Sequence, residues 1–416
     1  MTMISEFTAT SSSGRGATAP EHVRSWNPWM RAMLRLAAHI RLGHCAIRLP
    51  DGRQVTVAGD PSPLHATVEI RRARAARRLL LGGSVGFAEA YLDGDWDSPD
   101  LAAFLELAAR NESALGEGAA GLPLVRLMHR LQHRSRANSL RGSRRNIAEH
   151  YDLGNDFYAL WLDPGMSYSS ALFRDESQSL PDAQDEKYRT LAAMLDLRAD
   201  HHVLELGCGW GGFAEHVALD PGCRVKALTL SQAQAAFARK RMRERGLDGR
   251  VAIDVEDYRE VRGRFDRIAS IEMFEAVGEA YWPTFFAVLR ERLAVGGVAA
   301  MQVITIEEAR FPVYRRYADF IQRYIFPGGM LPTASALSRE ISRAGLRLTD
   351  RITFGASYAR TLALWHERFQ QAWPQIKAMG FDERFKRTWE YYLAYCEAGF
   401  RAGSIDVCQI RLENPA

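Results

Sequence analysis

The sequence has no uninterrupted apolar run of the ~18 residues that a membrane-crossing helix requires, so it gives no reading as an integral helical protein. Its first twenty residues, MTMISEFTATSSSGRGATAP, contain no continuous apolar stretch and read as a disordered tail, not as a secretory signal. Cysteine is sparse. The five (Cys45, Cys208, Cys223, Cys396 and Cys408) are scattered, odd in number and form no C-x-x-C pair. Neither a disulfide framework nor a zinc site is therefore expected, and reduced cytoplasmic thiols are. No acidic residue interrupts RLMHRLQHRSRANSLRGSRR, from Arg126 to Arg145, which holds seven arginines and two histidines. A second basic cluster, RRARAARR, runs from Arg71 to Arg78. Few aromatics interleave these arginines, which speaks against single-stranded nucleic acid as a partner. A solvated helix face or linker and the anionic surface of a membrane both remain readings of the charge.

What is present is the composition of a water-compatible globular protein, 47% hydrophobic and 25% charged. At 416 residues the chain exceeds one ordinary domain. No internal repeat is visible. Residues 21–120 carry short strand-like pieces (CAIRLP, ATVEI), turn signals (PDG, GDPSP) and two helical segments, SVGFAEAYLDGDW and SPDLAAFLELAAR, the latter with Ser98 as the expected N-cap. That is a small α+β domain, followed by a basic linker over 121–145. A larger domain is expected over 146–416. From about residue 185 apolar runs (HVLELG, RVKALTL, VAIDVED, DRIASIEM, VAAMQVITI) alternate with helical stretches, the pattern of a doubly wound, mostly parallel α/β sheet.

The first of those strands runs into a glycine turn, HHVLELGCGWGGF. Ligands of open α/β sheets bind beyond the carboxyl ends of the strands, where glycine lets the backbone approach them. The spacing is G-x-G-x-G-G, not the dinucleotide G-x-G-x-x-G, and the second strand ends in LTLSQAQ with no carboxylate to hold a nicotinamide ribose. S-adenosylmethionine, which has no phosphates, suits the turn better.

LELGCGWGG, LTLSQAQ, EDYREV, FDRIASIEMFEAVG and RYIFPGGMLP occur in this order in the sequence, and with GFAEAYLDGDW and EHYDLGNDFYALWLDPGMSYSSALF upstream the chain resembles the cyclopropane-fatty-acyl-phospholipid synthases over roughly residues 70 to 410. The resemblance implies a class I methyltransferase fold of Rossmann type with a smaller N-terminal α+β domain. It implies an S-adenosylmethionine-dependent enzyme acting on double bonds in the acyl chains of phospholipids, cytoplasmic and peripherally bound to an anionic membrane surface through the basic segments. A homodimer is an open option. The family's cofactor contacts fall on Tyr168 and Ser169, Gly207 and Gly209, Thr229 and Gln234, and Asp257 with Tyr258. Of these, the glycines would admit the methionine moiety, Thr229 and Gln234 would face the ribose, and Asp257 with Tyr258 would border the adenine.

In the resembled family a bicarbonate, held by a cysteine, a glutamate, a histidine and a tyrosine, removes a proton from the newly transferred methyl group and so closes the ring. Glu275 and Tyr358 match two of those positions. Ser170 stands at the cysteine position and Gln302 at the histidine position, while the residue after the glutamate is Ala276 and a family glycine is replaced by Glu272. Gln302 donates through its amide but takes up no proton, and Glu272 adds a carboxylate that opposes another anion. Bicarbonate therefore stays an open cofactor for this chain; a cyclopropane is the expected product, as the resemblance implies, and the alternative is a methyl- or methylene-branched chain, formed if a hydride shift moves the cation first. A homologue that binds lipid or cofactor without turnover is the third reading.

Overall fold

The computed structural model describes residues 27–119 and 153–415; the expected tail over 1–20 and the basic segment from Arg126 to Arg145 lie outside them. The described residues fall into two compact units, the first holding residues 27–119 with Gly380–Ala402, the second residues 153–379 with 403–415.

In the first unit β1 (Leu42–Arg48), β2 (Gln54–Ala58), β3 (Asp60–Ile70) and β4 (Trp96–Asp97) form a sheet of order β2-β1-β3-β4. The helix Leu101–Arg110 covers it, capped by Asp100, whose side chain accepts from the Ala103 N–H at 2.9 Å. The expected cap, Ser98, instead donates its hydroxyl to the carbonyls of Thr67 and Asp100. An aspartate two residues closer to the first free N–H groups answers the helix dipole better than a neutral serine. The sequence reading placed residues 380–402 in the second domain, but the helix Glu383–Arg401 packs within the first unit. There the Tyr391 ring lies 5.5 Å from Tyr91 and 6.5 Å from Trp96, and the Arg387 guanidinium covers Tyr91 at 3.9 Å. The cluster Arg71–Arg78 is also partly neutralised here. Asp95, fully buried, accepts from Arg72 at 3.2 Å and Arg74 at 2.7 Å, Asp93 pairs with Arg78 at 2.6 Å, and Asp97 with Arg71 at 2.9 Å.

The second unit is built on seven strands: β5 (His202–Leu206), β6 (Arg224–Thr229), β7 (Val251–Val255), β8 (Phe265–Ile271), β9 (Leu293–Ile306), β10 (Arg347–Thr353) and β11 (Ile405–Glu413). Their order is β10-β11-β9-β8-β5-β6-β7, parallel from β9 through β7 and antiparallel at β11 and β10. This is the expected mostly parallel α/β architecture. The inner strands are rich in apolar residues because helices bury both faces, although β5 also carries the buried Glu205 and β8 the buried Arg267 and Ser270. Alternate residues of one strand enter different cores: Leu204 joins Phe274, Phe285, Phe286 and Leu289, whereas Val203 joins Leu191, Phe213 and Val217. Each such side chain contributes about 1.5–3 kcal/mol on burial. The helix after Tyr281 stops at Arg292, and Gly296 and Gly297 lie inside β9. Among the described residues no helix is long and apolar enough to cross a membrane.

The order reverses at β5, which is followed outward by β6 and β7 on one side and by β8 on the other. A crevice is expected at such a switch point, outside the carboxyl ends of the strands.

Candidate active site

Both halves of the expected site converge on that switch point. On the β5 side, Gly207 (φ +80°) and Gly209 (φ +52°) turn the chain in the left-handed region that favours glycine. A Cβ on Gly207 would lie 2.7 Å from the Met273 side chain just beyond β8, whereas one on Gly209 would meet nothing within 4 Å. The first glycine permits close packing across the crevice, and the second leaves open space above the turn. Both are half-buried, as are Tyr168 and Tyr258.

Thr229, at the end of β6, donates its hydroxyl to the Gln234 side-chain oxygen at 2.9 Å, so this pair forms one buried polar unit. Ser231 between them caps the following helix by accepting from the Gln234 N–H at 3.2 Å. Asp257 is 1% exposed, and both its carboxylate oxygens are held by Arg259, from Nε at 2.8 Å and Nη2 at 2.7 Å. An adenine there would meet a carboxylate that is already paired. Tyr258 beside it packs 5.4 Å from Phe285, and its hydroxyl has no partner among the described residues. Tyr168 is set among Tyr158, Trp161 and Trp365 at ring distances of 5.3, 5.6 and 5.5 Å. Ser169 accepts from the Lys187 ammonium at 2.8 Å.

Beyond β8 the four residues expected around the reacting carbon also come together, but around a fifth. The Glu272 carboxylate accepts from the Ser170 backbone N–H at 2.8 Å, the Gln302 amide at 2.7 Å and the Tyr358 hydroxyl at 2.6 Å. The Ser170 hydroxyl itself donates to the Ala171 carbonyl. Glu272 has φ +47°, a left-handed conformation that costs a residue with a side chain about 1–2 kcal/mol. The three hydrogen bonds compensate it. Gln302 cannot rotate freely to offer its oxygen instead, because Gln409, directly opposite it on β11, donates to that oxygen at 3.0 Å. A relay of amides thus aims one N–H at Glu272.

Glu275 forms the first turn beyond, in a short 3-10 segment, Phe274–Ala276. One of its carboxyl oxygens accepts from the Ile304 N–H at 2.5 Å, and the other has no hydrogen-bond partner among the described residues. Burial, reinforced by the negative charge of Glu272, pushes its pKa up to about 8, with the Ile304 N–H opposing. Glu272 is also raised by burial, while Tyr358, Gln302, Ser170 and the charge of Lys187 pull the other way. The two carboxyls therefore resist being ionised together, and the one with three donors and a nearby cation is the one that holds the charge. Lys187, fully buried, donates to Gln184 at 2.6 Å as well as to Ser169, and burial lowers its pKa to about 8.

The sequence reading did not find Lys187 or Gln409, and it took Glu272 only as a repulsive neighbour. Lys187 carries a readable signal, a lysine on the apolar face of Leu180–Leu195. Gln409 carries none, since its place depends on an antiparallel pairing across more than a hundred residues.

The model of the family described as mycolic acid cyclopropane synthetase matches residues 138–410. The chain belongs to that family. It is 38% identical to the tuberculostearic acid methyltransferase of Mycobacterium tuberculosis over 395 residues, 91% of this chain and 89% of the relative. It is 36% identical to the cyclopropane-fatty-acyl-phospholipid synthase of Escherichia coli K12 over 350 residues, 83% and 87% of the two chains. Among solved structures, the M. tuberculosis cyclopropane synthase MmaA2 superposes with a TM-score of 0.61 at 32% identity, covering 65% of this chain and 98% of that one. The mycolic acid cyclopropane synthase CmaA1, complexed with S-adenosylhomocysteine, gives 0.61 at 30% identity, with 65% and 98% covered. By family and fold the protein is an S-adenosylmethionine-dependent methyltransferase.

Proposed function

We propose that this enzyme transfers the methyl group of S-adenosylmethionine to a double bond in an unsaturated acyl chain of a phospholipid, and that the product is a branched chain carrying a methylene or methyl group. The observation that carries the reading is the juxtaposition, at one switch point, of an open glycine turn with a carboxylate and a second, uncharged carboxyl. When bound, S-adenosylmethionine supplies an electrophilic methyl; an alkene attacking it becomes a cation, and a cation on carbon needs a proton acceptor at hand. The half-buried Gly207 and Gly209 would admit the methionine moiety, the Thr229–Gln234 pair would face the ribose, and Tyr258 would border the adenine with Asp257 holding Arg259 beside it. The ring faces around Tyr168 would contribute about 0.5–2 kcal/mol each to a neighbouring cation. The branched product is supported by the tuberculostearic acid methyltransferase, which matches this chain over 91% of its length.

Ring closure is the second reading, favoured by the retained Glu275 and Tyr358 and by the E. coli relative. Incubation with labelled S-adenosylmethionine and monounsaturated phospholipid vesicles, followed by mass spectrometry and NMR of the released acyl chains, separates them. A cyclopropane as the sole product removes the branched reading, and absence of label from the acyl chains removes both. The enzyme acts, on this reading, at the cytoplasmic face of a membrane without crossing it, and vesicle flotation with anionic and neutral lipid tests that placement.

A further inference from the structure

The donors that the family resemblance assigns to a bicarbonate are already engaged in this chain. Three of the four positions, Ser170, Gln302 and Tyr358, direct a backbone N–H, an amide N–H and a phenol O–H at the carboxylate of Glu272. The fourth, Glu275, accepts from Ile304 and offers an anion no donor at neutral pH beyond its own proton. A planar, singly charged carbonate species needs the same three donors that a planar, singly charged carboxylate has taken, and it would have to enter beside that negative charge. Bicarbonate does not fit.

We propose that Glu272 is the covalently fixed substitute for that anion and acts as the proton acceptor of the reaction, so that turnover does not depend on dissolved bicarbonate. The proposal rests on the methyl transfer to an acyl double bond argued above. Three further observations bear on it. The left-handed φ of Glu272 is retained at a position where the resemblance has glycine, the residue that this conformation suits, so the side chain is kept against a backbone preference. Glu272 is half-buried, not sealed, and so can face a substrate. Glu275 is the less suitable acceptor, because it stands beside the Glu272 charge with a single N–H donor.

The step balances without another reagent. The π pair of the alkene forms the new carbon–carbon bond as the sulfur–methyl bond breaks, leaving a neutral thioether and a cation on the chain. A Glu272 oxygen then takes a proton from the newly transferred methyl carbon. The C–H pair left behind closes a ring, or forms a carbon–carbon double bond if the cation has moved by hydride shift. The proton passes from Glu272 to water and the carboxylate is restored.

Methyl transfer is measured in buffer stripped of carbon dioxide, with and without added millimolar bicarbonate, for wild type, Glu272→Gln and Glu272→Gly. Binding of 13C-bicarbonate is followed in parallel by NMR line broadening. Wild type changes by less than about twofold on adding bicarbonate and does not broaden its signal, whereas Glu272→Gln loses about 100-fold or more in kcat with or without it. Glu272→Gly, whose backbone suits the φ, loses a similar factor in stripped buffer, broadens the bicarbonate signal and recovers at least ~10-fold when bicarbonate or formate is added. Unchanged binding of S-adenosylhomocysteine shows that each variant is folded. Bicarbonate stimulation of wild type, broadening of its signal by wild type, or a wild-type rate in Glu272→Gln each overturns the proposal. If wild type labels no acyl chain, the functional reading fails instead, and the NMR comparison still decides whether Glu272 fills the anion's place.

Discussion

Glu205, in the strand that leads into the glycine turn, is 2% exposed, and one of its carboxyl oxygens has no partner among the described residues. Burial pushes its pKa from 4.5 up to about 8; the Ala214 N–H and the more distant charges of Lys187 and Arg241 oppose without reversing the shift. The folded chain therefore holds a proton on Glu205 that the unfolded chain releases between pH 4.5 and 8. Because the native state binds more protons there, this residue's contribution to stability falls as pH rises through that window and levels off above it. Each pH unit inside the window is worth about 1.4 kcal/mol at most. Between pH 5.5 and 7.5 wild type should thus lose about 2–3 kcal/mol that Glu205→Gln, with no proton to lose, does not. Histidine titrations, which run the other way, cancel in the comparison. Urea unfolding of both proteins at pH 5.5, 6.5 and 7.5 measures the difference. The sign of the gap at one pH is immaterial; a gap that stays constant across the three refutes the claim that Glu205 is carried uncharged.

Gly207→Ala should lose about 2–4 kcal/mol of stability, from the φ of +80° and a Cβ 2.7 Å from Met273, and should weaken S-adenosylhomocysteine binding by calorimetry, whereas Gly209→Ala carries only the backbone term of about 1 kcal/mol. Lys187→Met removes the cation that favours an ionised Glu272, so the acid limb of the kcat–pH profile should move to higher pH while KM for the lipid is unchanged; an unmoved limb would make Lys187 purely structural. Asp95→Ala leaves Arg72 and Arg74 without their buried acceptor and should destabilise the first unit by about 2–4 kcal/mol, seen as an earlier unfolding transition with little change in S-adenosylhomocysteine affinity.

The parallel strands were legible because burial on both faces makes them apolar, and β5 through β9 each contain or coincide with an apolar run in the sequence. β10 was not legible. Its sequence RLTDRIT is mostly exposed and mixes charge with apolar residues, as an edge strand does. The helix Glu383–Arg401 was legible as a helix, but its partner was not, since aromatic periodicity shows that a face is buried and not against what. The same limit applied to the site. Ser170, Gln302 and Tyr358, expected near the reacting carbon, each donate to Glu272, and Glu275 follows it by three residues along the chain. That convergence depends on the direction of three donors, and a sequence carries no directions.

Charge explains why a single residue at position 272 has such reach. The pocket must hold one negative charge to receive a proton from carbon, and it must not hold two, or the second will neutralise or leave. With glycine at 272 the charge comes from solution, and the neighbouring groups need only donate. With Glu272 the charge is carried by the chain itself, so every neighbour must be compatible with a tethered carboxylate. Gln302 donates without titrating, Gln409 locks the amide in the donating orientation, and the Glu275 pKa is pushed toward the neutral form by the same charge. A histidine at 302 would have brought a second exchangeable proton next to a tethered base and a salt bridge that lowers its basicity. The replacements at 272 and 302 are therefore one change in the site's electrostatics, not two separate losses of a catalytic group.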